Sequence, residues 1–91
     1  MAEYLMYHIN RSSLARDIIS LVDSYTKKEV SEEMLQNYVR SWGEKCPNLL
    51  FDADTKNPDS LNRDAISQKL IRRIGKKRSI IVLTVLKETG I

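Results

Sequence analysis

Six cations fall between Lys69 and Arg78: Lys69, Arg72, Arg73, Lys76, Lys77 and Arg78. Ammonium and guanidinium groups at this density neutralise phosphates and release their counterions, which is the chemistry of a nucleic-acid backbone contact. From Lys69 to Lys87 the chain carries seven positive side chains and no negative one, whereas residues 1–68 hold eight Lys or Arg against eleven Asp or Glu. The formal net charge of +3 hides this asymmetry, and it is the asymmetry that speaks about partners. An acidic partner is expected, nucleic acid first and an acidic protein second. The bland alternative is a solvated polar face: at helical spacing Lys69, Arg72, Arg73 and Lys76 lie opposite an apolar stripe, within reach of acids such as Glu29, Glu32 or Glu33.

Other chemistry is excluded by what its reactions require. His8 is the only histidine and sits in no recognisable motif, so it reads as a satisfied or surface residue rather than a general base. Cys46, the single cysteine, precedes Pro47 and lies in no nucleophile motif; it excludes an internal disulfide, and a Cys-His dyad is not expected. Asp52-Ala-Asp54-Thr-Lys56 opens like a calcium loop but fails, because Lys56 takes a ligand position, Asn57 replaces the turn glycine and Arg63 stands where a bidentate Glu belongs. No phosphate-binding glycine loop, dinucleotide fingerprint or serine elbow occurs. The chain is therefore expected to be non-enzymatic, without metal or cofactor.

Residues 66–86 partly match a helix-turn-helix, with Ile71, Gly75 and Ile81 at the spacing of its small residue, turn glycine and buried aliphatic. A bulky Ile71, a charged Lys76 and a would-be recognition helix made mostly of aliphatics depart from that pattern. Backbone contact from the joint is expected rather than base readout.

The elements that must position these cations are helical. Leu14, Ile18, Leu21, Val22 and Tyr25 share one helical face, with Asn10, Ser12 or Ser13 as cap. Ser31 caps a second helix whose first turn holds Glu32 and Glu33, and Met34, Leu35, Tyr38, Val39 and Trp42 form its stripe up to Gly43 and Cys46-Pro47. The short link Thr26–Val30 makes these two an antiparallel hairpin. A polar loop follows, pinned by Leu49, Leu50 and Phe51. Asn57-Pro58-Asp59-Ser60 then opens a third helix carrying Leu61, Ala65, Ile66, Leu70, Ile71 and Ile74 to Gly75. The run Ile80–Leu86 favours a strand by propensity, yet no partner strand exists, so a fourth helix buried on most faces is expected. Met1–Ile9 is left unassigned.

The expectation is a mainly α, single-domain bundle over residues 1–91, with about four helices near 12–27, 31–45, 59–74 and 76–88 and a loop at 46–58. A content of 42% hydrophobic and 30% charged residues fits a folded domain. The longest apolar run is far below the roughly 20 residues of a membrane span, and the first residues lack the pattern of an export signal. A cytoplasmic protein without membrane contact is expected.

In the order Leu14-Ala15-Arg16-Asp17-Ile18, Tyr25, the acidic-led helix from Ser31, and Ile74-Gly75-Lys76-Lys77-Arg78, the chain resembles a set of small uncharacterised proteins of Firmicute bacteria and their mobile elements. That resemblance implies a bacterial or phage origin and supplies no catalytic residue. The second functional expectation is a protein-interaction module, a homodimer or a small inhibitor or adaptor of a host protein. Tyr4, Met6 and Tyr7 at one end and Ile80–Leu86 at the other exceed what four short helices can bury.

Overall fold

The first two helices each begin where a side chain satisfies one of their free N–H groups. In a computed structural model, which describes residues 8–57 and 59–89, Asn10 is extended and its Oδ1 accepts the Ser13 N–H at 2.8 Å, opening α1 (Arg11–Thr26). Ser31 does the same for α2 (Glu32–Lys45), its Oγ accepting the Met34 N–H at 3.2 Å, with Glu32 and Glu33 in the first turn as expected. Gly43 is accommodated inside α2, which stops at Cys46. Pro47 then opens a single turn, α3 (Pro47–Leu50), inside the segment expected to be a loop.

Helix three is shorter than its apolar spacing suggested: α4 spans Gln68–Ile74, and residues 59–67 are not helical. The cause is local competition for the backbone. Asn62 Oδ1 accepts the Asp64 N–H at 3.0 Å and the Asn57 carbonyl accepts the Ser60 N–H, so turns take the groups a helix would use. A single antiparallel bridge, Ala53 with Leu61, closes this excursion, flanked by Asp54 N–H to Ser60 O and Asn62 N–H to Asp52 O at 2.9 Å each. Ala65 is exposed rather than part of a stripe. Pro58, expected in the first turn of that helix, lies outside the described residues.

The start of α4 is set from a distance. Asp52 Oδ2 accepts the Gln68 N–H at 2.9 Å and Asp52 Oδ1 accepts the hydroxyl of the buried Ser67 at 2.7 Å. A carboxylate at this place satisfies a free donor and complements the helix dipole. Gly75 alone separates α4 from α5 (Lys76–Glu88), which forms over the residues expected for helix four.

The core is one cluster. Leu14, Ile18, Leu21 and Val22 of α1 meet Leu35, Val39 and Trp42 of α2, Leu70 and Ile74 of α4, and Val82, Val85 and Leu86 of α5. Helix α1 packs most extensively on α4 and α2 on α5, with α1 and α2 in direct but lesser contact. Leu49, Leu50 and Phe51 pin the 46–58 segment to this core, as expected. Trp42 is fully buried, and a side chain of that size in a well-packed interior contributes about 3–5 kcal/mol against alanine. Helix α5 is less enclosed than expected: Ser79, Val82, Val85 and Leu86 are buried, while Ile80 stays 55% exposed.

Candidate functional site

The apolar stripe of α4 turns Leu70 and Ile74 inward and leaves Lys69, Arg72 and Arg73 outward, whereas Lys76, expected on the same helical face, opens α5 beyond the Gly75 corner. Lys69, Arg72, Arg73, Lys76 and Lys77 are all exposed, and none has an ion pair among the described residues. Arg78 differs. Its Nε and Nη2 donate to the two carboxylate oxygens of Asp23 at 3.0 and 2.9 Å, and its Nη1 donates to the Ile74 carbonyl at 2.9 Å. This fork holds the Asp23 carboxyl below its ordinary value through the hydrogen bonds and raises the Arg78 guanidinium further. Asp23, rather than Glu29, Glu32 or Glu33, is therefore the acid that answers the basic segment.

The charge run is contiguous in sequence and divided in space. Lys69, Arg72 and Arg73 line a cavity of about 550 Å³ together with Ile9, Asn10, Arg11 and Leu49. Lys76, Lys77 and Arg78 line another of similar volume with Asp23, Ile74, Gly75 and Ile81. The first has four cationic side chains in its wall and no acidic one among the described residues; the second has three against Asp23.

Arg11 was invisible to sequence reasoning as a member of the basic group. Half-buried at the start of α1, it donates from Nη2 to the Asn48 carbonyl at 3.0 Å and lies 3.9 Å from Asp52 Oδ1. Its Nε is shut off from solvent with no acceptor. Asp52 lies close to this group, but its oxygens are already engaged by Gln68 and Ser67. These two bonds, Gln68 foremost, hold its carboxyl low against the opposing effect of burial, with Arg11 and Lys69 adding smaller Coulombic attraction.

At the joint, Gly75 adopts φ 89° and ψ 159°, a conformation nearly exclusive to glycine. One residue links α4 and α5, where a helix-turn-helix uses a turn of three or four. Base-reading geometry of that kind is not built here, and the cations instead flank a sharp helix-helix corner.

The structure also assembles residue types that sequence order had kept apart. His8 is buried, with Nδ1 sharing a hydrogen bond of 2.7 Å with Ser13 Oγ and Nε2 3.0 Å from Asp17 Oδ2. The second contact falls outside hydrogen-bond direction. Ser, His and Asp are the types of a hydrolytic triad, but a nucleophile must face a substrate. The cavities beside α4, α5 and Tyr25 are lined by other residues. The His8 ring instead packs edge-on against Trp42, 6.0 Å between centroids, and anchors the entry to α1. Cys46 is buried nearby, and burial pushes its thiol up despite an opposing hydrogen bond from the His8 backbone, which keeps it protonated and a poor nucleophile.

No group of three or more His, Cys, Asp or Glu among the described residues is arranged to hold a metal ion. No described helix is long and apolar enough to cross a membrane. A family model described as a conserved hypothetical protein matches residues 5–87. No curated protein and no solved structure matches the chain.

Proposed function

We propose that this chain, which belongs to that family of conserved hypothetical proteins, is a non-enzymatic binding domain that contacts the phosphate backbone of nucleic acid. One observation carries the reading: Lys69, Arg72 and Arg73 are exposed, lack ion pairs among the described residues, and gather with Arg11 on one cavity wall. Unpaired cations held close together repel one another, and an anion between them relieves that repulsion. Lys76 and Lys77 extend the basic surface past Gly75, while Arg78 supports the corner through Asp23. Contacts of this type position a protein on a backbone without reading sequence. The Ile74-Gly75-Lys76-Lys77-Arg78 joint supports an origin among small cytoplasmic proteins of Firmicutes and their mobile elements.

The test is fluorescence anisotropy of a labelled random duplex titrated with the protein between about 50 and 200 mM salt, the range over which phosphate-driven binding changes by orders of magnitude. Binding is expected to fall steeply with salt and to vanish when Lys69, Arg72 and Arg73 are changed to Glu, with the helical circular-dichroism signal unchanged. Absence of binding at the lowest salt would sink the reading.

A second reading, contact with another protein, has its own observation. A groove of about 230 Å³ on α5 is lined by Tyr25, Leu35, Ile80, Ile81 and Val85, with Glu32 and Glu88 also in its wall. Its apolar floor includes the exposed Ile80. Tyr4, Met6 and Tyr7, the other part of the expected apolar excess, lie outside the described residues. Self-association that persists in high salt and is lost in Ile80→Asp would favour this reading, since apolar contacts are not screened.

A further inference from the structure

The two cationic cavities are not equivalent, and the difference selects a ligand. At the α5 cavity, Asp23 already compensates part of the charge through Arg78. At the α1–α4 cavity, Arg11, Lys69, Arg72 and Arg73 stand without an acidic residue in the wall among the described residues, and Asp52, 3.9 Å from Arg11, offsets about one of the four charges from outside it. The N-terminal end of α1 enters the same wall through Asn10 and Arg11, so its dipole adds positive potential there.

We propose that this cavity seats a phosphate monoester, carried either by the 5′ end of a nucleic-acid strand or by a free mononucleotide. The inference rests on the backbone-binding reading and narrows it. A monoester carries close to two negative charges at neutral pH, against one on an internal diester. Four cations, three of them unpaired, match the dianion better. The depression is open, about 550 Å³, and leaves room for the nucleotide that carries the phosphate.

Arg11 is the component that makes this a pocket rather than a charged helix face. Its guanidinium is fixed on the Asn48 carbonyl opposite α4, so an incoming phosphate is gripped from two elements. Guanidinium groups match phosphate oxygens in bidentate geometry, and Arg72 and Arg73 bring two more from α4.

The experiment compares a labelled single-stranded oligonucleotide bearing a 5′-phosphate with the same strand ending in a 5′-hydroxyl. Adenosine monophosphate is titrated separately while the Arg side-chain Nε–H signals are followed by NMR. The phosphorylated strand is expected to bind about tenfold more tightly, and Arg72→Gln with Arg73→Gln is expected to erase that preference while Lys76→Gln with Lys77→Gln retains it. Equal binding of both strands, with no shift from the mononucleotide, would overturn the pocket and leave backbone binding standing. Binding of the mononucleotide with neither strand bound would support the pocket and overturn the nucleic-acid reading.

Discussion

Arg78 grips Asp23 with two parallel hydrogen bonds, 3.0 Å from Nε and 2.9 Å from Nη2, across 55 residues of sequence. The pair ties the first turn of α5 to the last turn of α1, and the third donor of the same guanidinium takes the Ile74 carbonyl at the end of α4. Three helices therefore share one side chain. A cation counted by composition as part of a binding surface serves instead to fix the corner that carries that surface.

Replacing Arg78 with Gln should destabilise the fold modestly. Both side chains are more than a third exposed, so water screens the pair and its contribution is about 1 kcal/mol. For a domain of this size that corresponds to a fall in Tm of roughly 4–8 °C. The loss should shrink in high salt, and nucleic-acid affinity should drop less than with Arg72→Gln. Thermal denaturation at low and high salt checks the first part, and paired anisotropy titrations check the second.

Asp52 makes stability depend on acid. Its carboxyl is held below the ordinary value of 3.8 in the folded chain, chiefly by the Gln68 N–H and then the Ser67 hydroxyl. Such a group contributes stability that is fully present above its unfolded value and is lost as pH falls through the folded one. Stability should thus hold from neutral pH down to about 3.8 and decline below it, with Asp23 contributing in the same direction. In Asp52→Ala the decline should be shallower, and the loss at pH 7 should be roughly 1–3 kcal/mol, because the buried Ser67 hydroxyl loses its acceptor. Urea denaturation across pH measures both.

Local signals in the chain reached as far as local physics does. Ser31 with Glu32 and Glu33, and the aliphatic run that follows Gly75, mark α2 and α5 because helix starts and local composition are properties of neighbours. Residues 59–67 misled, since Leu61 and Ile66 sit near helical spacing while Asn62 and Asn57 divert the backbone into turns. What starts α4 is Asp52, fifteen residues before Ser67, and no local pattern reports it. The same holds for the candidate site. Lys69, Arg72 and Arg73 stood out by density, but Arg11 joins them only through the packing of α1 on α4, and Arg78 leaves the exposed set only through Asp23.

Lys28 offers a substitution that should stabilise the protein. It ends α1 at φ 65°, with its N–H bonded to the Tyr25 carbonyl and the Glu29 N–H bonded to the Ser24 carbonyl. This is the pattern in which glycine commonly occupies the left-handed position, since a Cβ there costs about 1–2 kcal/mol. Glycine also gains freedom in the unfolded chain, which offsets part of the benefit. Lys28→Gly should therefore raise stability by about 0.5–1 kcal/mol, read as a shift of the urea midpoint with unchanged slope.

Gly75→Ala should do the reverse, for a torsional reason and not a steric one. An added Cβ would meet nothing nearer than Arg78 Nη1 at 3.9 Å, an ordinary contact. The backbone at φ 89° and ψ 159° is what a side chain cannot hold without strain of order 1–3 kcal/mol. The strain has two outlets. Either the corner keeps its angle and the whole protein loses that stability, or the joint relaxes and the Arg78–Asp23 fork stretches. The second outlet is detectable by combining substitutions. If Gly75→Ala opens the joint, adding Arg78→Gln should cost little further, whereas a rigid corner should give losses that sum. We expect summed losses, because Leu70, Ile74, Val82 and Leu86 bury both helices in the same core and leave the corner no room to swing. A double-mutant cycle by urea denaturation measures this, and strong non-additivity would show that the fork, not the core, sets the angle between α4 and α5.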